Sequence, residues 1–211
     1  MRISASILNA DFTDLRRSVS ELEQAGIDSF HMDIMDGNFV DNISFGPEIV
    51  RTVKSLTVLP LITHLMIMRP DYFTDIFFKA GSHTVIVHSE VLDRQGLILP
   101  VRENMGISFN PDYDTEYLKP ILGVVSTVLV MSVFPGFGGQ KFIKSRLKTI
   151  EYLREEKEKN GYAYIISVDG GITDETARLA ASAGAEELVV GAYLTKTGNP
   201  AQRVQDIKET L

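Results

Sequence analysis

Ile3-Ser4-Ala5-Ser6-Ile7-Leu8-Asn9-Ala10 is a short β-rich run that passes into its following turn without a glycine. That absence separates two architectures. An open, doubly wound α/β sheet carries a glycine-rich turn after its first strand, where the backbone must approach a nucleotide phosphate. Ser6-Ile7-Leu8-Asn9-Ala10 offers nothing of the kind. Outward from this segment, with Ile3 to Leu8 taken as the first strand, β-rich runs recur at Ser29 to Met35, Leu61 to Met66, Thr84 to His88, Gly106 to Asn110, Thr127 to Ser132, Tyr164 to Asp169 and Glu187 to Gly191. From Ile3 to Leu188 the strand markers are spaced about 26 residues apart, the length of one strand-helix unit.

The segments between the runs carry helical spacing. Phe12, Leu15, Val19 and Leu22 fall on one face before Gly26, and Phe142, Leu147, Ile150 and Leu153 lead to Gly161. At the end of the chain Asn199 is placed as an N-cap and Pro200 as the first helical residue, with Val204, Ile207 and Leu211 along one side. Eight such units predict an α/β fold, a (β/α)8 TIM barrel, as a single domain over residues 1–211. Pro100 interrupts Gln95 to Met105, so the fourth helix is expected to be short. No linker, charge block or low-complexity stretch divides the chain.

Composition narrows the function. The chain has 211 residues, 44% of them hydrophobic and 23% charged, enough for one substantial core. With 28 acidic against 21 basic residues the net charge is −7, which argues against nucleic-acid or anionic-membrane partners and requires a dedicated local site for an anionic substrate. Cysteine is absent, so disulfides, thiol catalysis and zinc-thiolate sites are excluded, and any metal must be held by His, Asp or Glu. No apolar run approaches the ~18 residues of a membrane span, and no long apolar stretch follows Met1-Arg2-Ile3-Ser4, so a cytoplasmic location is expected.

In a barrel of this kind chemistry sits at the C-terminal ends of the strands. There, in otherwise apolar runs, stand His31 and Asp33, two apart on the second strand and therefore on one face; His64 on the third; and Asp169 at the end of the seventh. The seventh strand lies roughly across the mouth from the second, so Asp33 and Asp169 are expected to face each other over a substrate. A core histidine or a turn-capping aspartate accounts for any one of these residues. Two imidazoles and two carboxylates together suit one divalent ion (Zn, Fe, Co or Mn) with open positions for substrate oxygens.

Glycine gives the next signal. Ser132-Val133-Phe134-Pro135-Gly136-Phe137-Gly138-Gly139-Gln140 follows the sixth strand, Gly170-Gly171 the seventh and Gly191-Ala192 the eighth. Loops after strands seven and eight form the usual barrel phosphate site, where backbone N–H groups and a helix N-terminus hold a dianion without side-chain charge. Met35, Met66 and Met131 sit near strand ends and read more readily as core filler than as a substrate wall. His83 reads as structural, and His88 ends the fourth strand without an evident partner. Lys141, Lys144, Arg146 and Lys148 read as a solvated helix face.

Taken together, Ser4-Ala5-Ser6-Ile7-Leu8, His31-Met32-Asp33-Ile34-Met35-Asp36-Gly37-Asn38-Phe39-Val40, His64-Leu65-Met66, Met131 to Gln140 and Val168-Asp169-Gly170-Gly171-Ile172 resemble the ribulose-phosphate 3-epimerase family over nearly the whole chain, in the family's order. The resemblance implies interconversion of D-ribulose 5-phosphate and D-xylulose 5-phosphate, with D-allulose 6-phosphate, the substrate of close relatives, as the alternative. It implies that His31, Asp33, His64 and Asp169 bind the metal, that Asp33 and Asp169 are the acid-base pair, and that Ser6 and His64 contact substrate. It also implies that Gly136, Phe137, Gly138, Gly139, Gly170, Gly171, Gly191 and Ala192 surround the substrate and its phosphate, and that the protein is a homo-oligomer, dimer or hexamer. Against the commonest pattern Ala5 replaces proline, Asn38 histidine, Asp41 proline and Ala192 serine; these changes bear on substrate rather than on reaction. Metal bridging of the C2 and C3 oxygens would stabilise a cis-enediolate, and two carboxylates on opposite faces would invert C3. Two other classes compete: a non-catalytic sugar-phosphate sensor, which would not need two opposed bases, and a lysine Schiff-base aldolase, for which none of the eight runs supplies a lysine.

Overall fold

The eight runs form eight parallel strands: β1 (Arg2–Ser6), β2 (Ser29–Met35), β3 (Leu61–Met66), β4 (Thr84–His88), β5 (Met105–Phe109), β6 (Thr127–Met131), β7 (Ile165–Asp169) and β8 (Glu187–Val190). In this computed structural model, which describes residues 1–98, 102–196 and 198–211, each strand pairs with its neighbours in sequence and β8 closes on β1. The sequence boundaries coincide with these for β2, β3 and β4 and differ by one residue at one or both ends for β5 to β8. The largest difference is at β1, where the ladder ends at Ser6 and the chain turns through Ala10, whose N–H donates to the Ile7 carbonyl at 2.9 Å.

A closed parallel barrel buries both faces of every strand, so alternate residues meet different surroundings. Outward-facing Phe30, Met32, Leu61, Leu65, Val85, Val87, Val128 and Val130 join the main core between the sheet and the helices. A second, smaller apolar cluster of Ile62, Ile86, Leu129, Met131, Val133 and Val189 fills the interior. His31, Asp33, His64, His88 and Asp169 share the inward parity of that cluster. At Gly106, also inward, an added Cβ would lie 2.8 Å from Ile86 Cγ1, so the packed interior has room there for hydrogen alone.

The helices are α1 (Leu15–Gln24), α2 (Pro47–Leu56), α3 (Pro70–Ala80), α4 (Ser89–Gln95), α5 (Leu147–Asn160), α6 (Asp174–Ala183), α7 (Ala192–Thr195) and α8 (Pro200–Glu209). Asp14 caps α1 through the Arg17 N–H, which starts the helix at Leu15 and leaves Phe12 in a preceding 3-10 turn, 44% exposed. Asn199 caps α8 as its sequence predicts, with Val204 and Ile207 buried; Leu211 lies beyond the helix end and is half exposed. The fourth helix is short, seven residues, but it forms directly after β4 and stops at Gly96; Pro100 lies outside the described residues. After β5 only a 3-10 turn, Thr115–Leu118, takes the helix position. Pro111 and Pro120 bracket that segment and deny it a longer helix. Among the described residues no helix is long and apolar enough to cross a membrane.

Candidate active site

Strand register assembles the site. Asp33 of β2 pairs with His64 of β3, His31 lies two residues before Asp33 on the same face, and Asp169 ends β7. Their ligand atoms all lie within 4.8 Å of one another. His31 Nε2 is 3.3 Å from Asp33 Oδ1 and 3.9 Å from Asp169 Oδ2, while His64 Nδ1 is 3.4 and 3.9 Å from the same two oxygens. Asp33 is oriented further by Ser6, whose Oγ donates to Asp33 Oδ2 at 2.6 Å and accepts from the Leu8 N–H at 3.2 Å.

A cation fits this arrangement on two grounds. Both ring nitrogens of the fully buried His31 lack a hydrogen-bond partner among the described residues, a situation that costs about 1–3 kcal/mol per orphaned group unless something satisfies it. The donor set of two imidazoles and two carboxylates is also that of borderline divalent metals. The bare cluster is electrostatically divided. Burial opposes charge on His31, but the attraction of the neighbouring Asp33 carboxylate prevails and pushes His31 up to about 9. Burial likewise works against the Asp33 charge and is overcome by His31 and His64, so Asp33 is held below the usual carboxylate range. Asp169 moves the other way, raised by burial and by the Asp33 charge. Burial lowers His64 to about 4 despite its contact with Asp33.

Above the quartet opens a cavity of about 640 Å³. Asp33, Asp169 and Ser6 line its floor, with Met35, Met66 and Met131 in the wall. Gly136, Phe137, Gly138 and Gly139 of the loop after β6 lean over it, and Gly170, Gly171, Gly191 and Ala192 close the far side. The β6 loop is tied down by Asn42, whose Nδ2 donates to the Gly136 carbonyl at 2.7 Å, and by Gln140, whose Nε2 donates to the Phe134 and Phe137 carbonyls at 2.7 and 2.8 Å. Gly171 has φ +63°, and a Cβ there would stand 2.4 Å from the Phe142 nitrogen, so this loop needs glycine on both counts.

Residues 2–195 match the family model described as the ribulose-phosphate 3 epimerase family. The chain belongs to that family. It is 41% identical over 213 residues to a ribulose-phosphate 3-epimerase of Methanocaldococcus jannaschii, covering 99% of this chain and 90% of that one. It is 36% identical over 215 residues to the Bacillus subtilis enzyme of the same name, covering 99% and 98%. A solved 3-hexulose-6-phosphate synthase from Salmonella typhimurium superposes with a TM-score of 0.73 at 18% identity, covering 100% of this chain and 98% of that one, a likeness of fold alone.

In this member of the epimerase family the four metal-competent residues read from the sequence converge, and the glycine loops surround one cavity with them. The Gly170 backbone N–H also favours the charged form of Asp169. The three methionines, read as filler, line the cavity. The basic run is not one solvated face. Arg146 is buried, its guanidinium 5.3 Å from the centre of the Phe109 ring and its Nη1 donating to the Pro111 carbonyl at 2.8 Å, while Lys141 and Lys144 reach the cavity rim. Lys196, just beyond the eighth-strand loop, was not singled out, yet it lines the cavity with Nζ 3.2 Å from where a Cβ on Gly139 would lie. His88, left without a partner by sequence reasoning, contacts His64: their Nε2 atoms are 2.8 Å apart. A usable signal existed, since His88 ends the strand beside β3 with the inward parity of His64.

Proposed function

We propose that the chain inverts C3 of a ketose phosphate, with D-ribulose 5-phosphate and D-xylulose 5-phosphate as the substrate pair. The carrying observation is the placement of two carboxylates, Asp33 from β2 and Asp169 from β7, around the same two buried imidazoles at the floor of one cavity, in a chain of an epimerase family. When bound by His31, Asp33, His64 and Asp169, a divalent ion (Zn, Fe, Co or Mn) supplies Lewis-acid stabilisation of the negative charge that develops on the ketose oxygens.

The protein's own groups do the rest. One aspartate takes the C3 proton from one face and the other delivers a proton to the opposite face, with the roles exchanged in the reverse direction. The Ser6 hydroxyl keeps the Asp33 carboxylate aimed into the cavity. The β6 loop and the methionine wall exclude water from the planar intermediate, which would otherwise be protonated without facial control. Backbone N–H groups of Gly171, Gly191 and Ala192, at the start of α7, cradle the phosphate, and Lys196 adds the positive charge that an acidic protein must concentrate locally. A cytoplasmic setting and a homo-oligomeric assembly belong to the same reading. Assay of the metal-loaded protein on D-ribulose 5-phosphate and D-allulose 6-phosphate in parallel tests it. The expected result is faster inversion of the pentulose phosphate; inversion of neither, with metal occupancy confirmed, would overturn the function, and faster inversion of the hexulose phosphate would overturn the substrate.

A further inference from the structure

Outside the quartet, one chain of buried polar contacts has no part in the chemistry above. His64 Nε2 stands 2.8 Å from His88 Nε2, and His88 Nδ1 stands 3.2 Å from Glu90 Oε2; the other Glu90 oxygen accepts the Asn110 N–H. Both imidazoles are fully buried, and the Glu90 side chain is 9% exposed. The His64 and His88 rings stack at 5.0 Å with 20° between their planes, and Phe39 packs against His88 at 4.6 Å, so the rings are held in place.

We propose that Glu90 and His88 are positioning residues that fix the tautomer of His64, keeping the lone pair of its Nδ1 turned toward the carboxylates of Asp33 and Asp169. This rests on the reading of His64 as a metal ligand. A carboxylate can only accept, so the hydrogen of His88 belongs on Nδ1, facing Glu90. Neutral His88 then presents a lone pair at Nε2. Two Nε2 atoms 2.8 Å apart share one hydrogen, which must therefore sit on His64. This order leaves Nδ1 of His64, 3.4 Å from Asp33 Oδ1, free for a metal; without the metal the Asp33 carboxylate competes by accepting a hydrogen from that same nitrogen, and the relay opposes it. Reversing the chain would put a hydrogen on His64 Nδ1 and block that position. Glu90 thus sets, through two rings, which nitrogen of His64 is available.

The test measures Zn²⁺ affinity by competition with a chromogenic chelator, without substrate, and the ring-nitrogen protonation of ¹⁵N-histidine-labelled protein by NMR. His88→Phe, which removes the acceptor, should weaken Zn²⁺ binding about 10- to 100-fold, as loss of an outer partner of a ligating histidine does. His88→Gln, whose Oε1 can still accept from His64, should recover most of that loss. Glu90→Gln must turn an amide NH2 toward either His88 or the Asn110 N–H, so it should weaken binding as well. In the Zn²⁺-loaded wild-type protein His64 should carry its hydrogen on Nε2 and His88 on Nδ1. Wild-type affinity in His88→Phe, or His88 protonated on Nε2 instead of Nδ1 in the Zn²⁺-loaded wild type, would overturn the relay while leaving the metal site standing. A wild-type chain that takes up no Zn²⁺ would overturn the metal reading and the relay with it.

Discussion

Metal-free protein should lose stability as pH rises from 6.5 toward 9, and His31 should be the cause. In the folded chain the Asp33 carboxylate overrides the burial penalty and holds the His31 proton up to about 9, whereas in the unfolded chain the proton leaves near the ordinary value of 6.5. The folded state therefore binds more protons across that interval. By linkage, the stabilisation is fully present below pH 6.5 and is lost as pH climbs through the folded value. At about 1.4 kcal/mol per pH unit the loss amounts to about 3 kcal/mol. Other members of the cluster act elsewhere. His64, lowered to about 4, favours the folded state as pH rises from about 4 to 6.5, and raised Asp169 opposes it on the acid side. The window above 6.5 thus belongs mainly to His31. Urea unfolding in the presence of a chelator, at half-unit pH steps, measures the slope, and His31→Gln, which cannot titrate, should flatten it. With Zn²⁺ bound the dependence should reverse, because ligation requires the neutral imidazole. A metal-free stability that stays level or rises over this window, or a His31→Gln variant that keeps the same slope, would refute the argument.

Other substitutions probe the cavity and its surroundings. Ala192→Ser adds a hydroxyl beside the proposed phosphate cradle and should lower KM by a factor corresponding to about 0.5–1.5 kcal/mol, the worth of one neutral hydrogen bond; a KM that does not fall in steady-state kinetics, with the fold intact by circular dichroism, counts against the cradle. Gly171→Ala forces a Cβ to within 2.4 Å of backbone at a positive φ, so phosphate inhibition of the enzyme should weaken at least tenfold, and an unchanged inhibition constant would show the loop is not part of the site. Arg146→Ala removes a buried guanidinium packed on Phe109 and bonded to Pro111; denaturant midpoints should report about 1–3 kcal/mol of destabilisation, against no change if the side chain were merely a solvated lysine-like charge.

The barrel was legible because each strand is buried on both faces and writes itself as a continuous apolar run, while segments with helical spacing separate the runs at a mean interval of about 26 residues. The candidate metal-binding quartet was legible for a related reason: His31, Asp33, His64 and Asp169 interrupt those apolar runs, and a polar side chain buried there requires a partner. What sequence could not supply was contact across strands. His88 has no partner within its own strand; Glu90 meets it from the first turn of α4, and only the closeness of β3 and β4 brings it to His64. The methionines look alike whether they fill a core or face a cavity, and the inward parity that decides it depends on register. Arg146 belonged to a basic run by spacing, yet a 3-10 turn, Lys144–Arg146, precedes α5 and rotates that residue onto Phe109. The fifth unit lacks a full helix because Pro111 and Pro120 leave room between them for little more than the 3-10 turn Thr115–Leu118, a limit that apolar spacing alone does not reveal.

The central claim is that two aspartates serve opposite faces of C3, and isotope exchange tests it most directly. In Asp33→Asn and Asp169→Asn, each loaded with metal and checked for occupancy, inversion should fall by at least ~10²-fold, the low end for loss of one general acid-base group. The surviving aspartate can still remove and return a proton on its own face. In D₂O each variant should therefore place deuterium at C3 of one epimer without inverting it, and the two variants should prefer opposite epimers when each pure ketose phosphate is followed by NMR. Near-wild-type inversion in either metal-loaded variant, or the same exchange preference in both, would contradict the assignment.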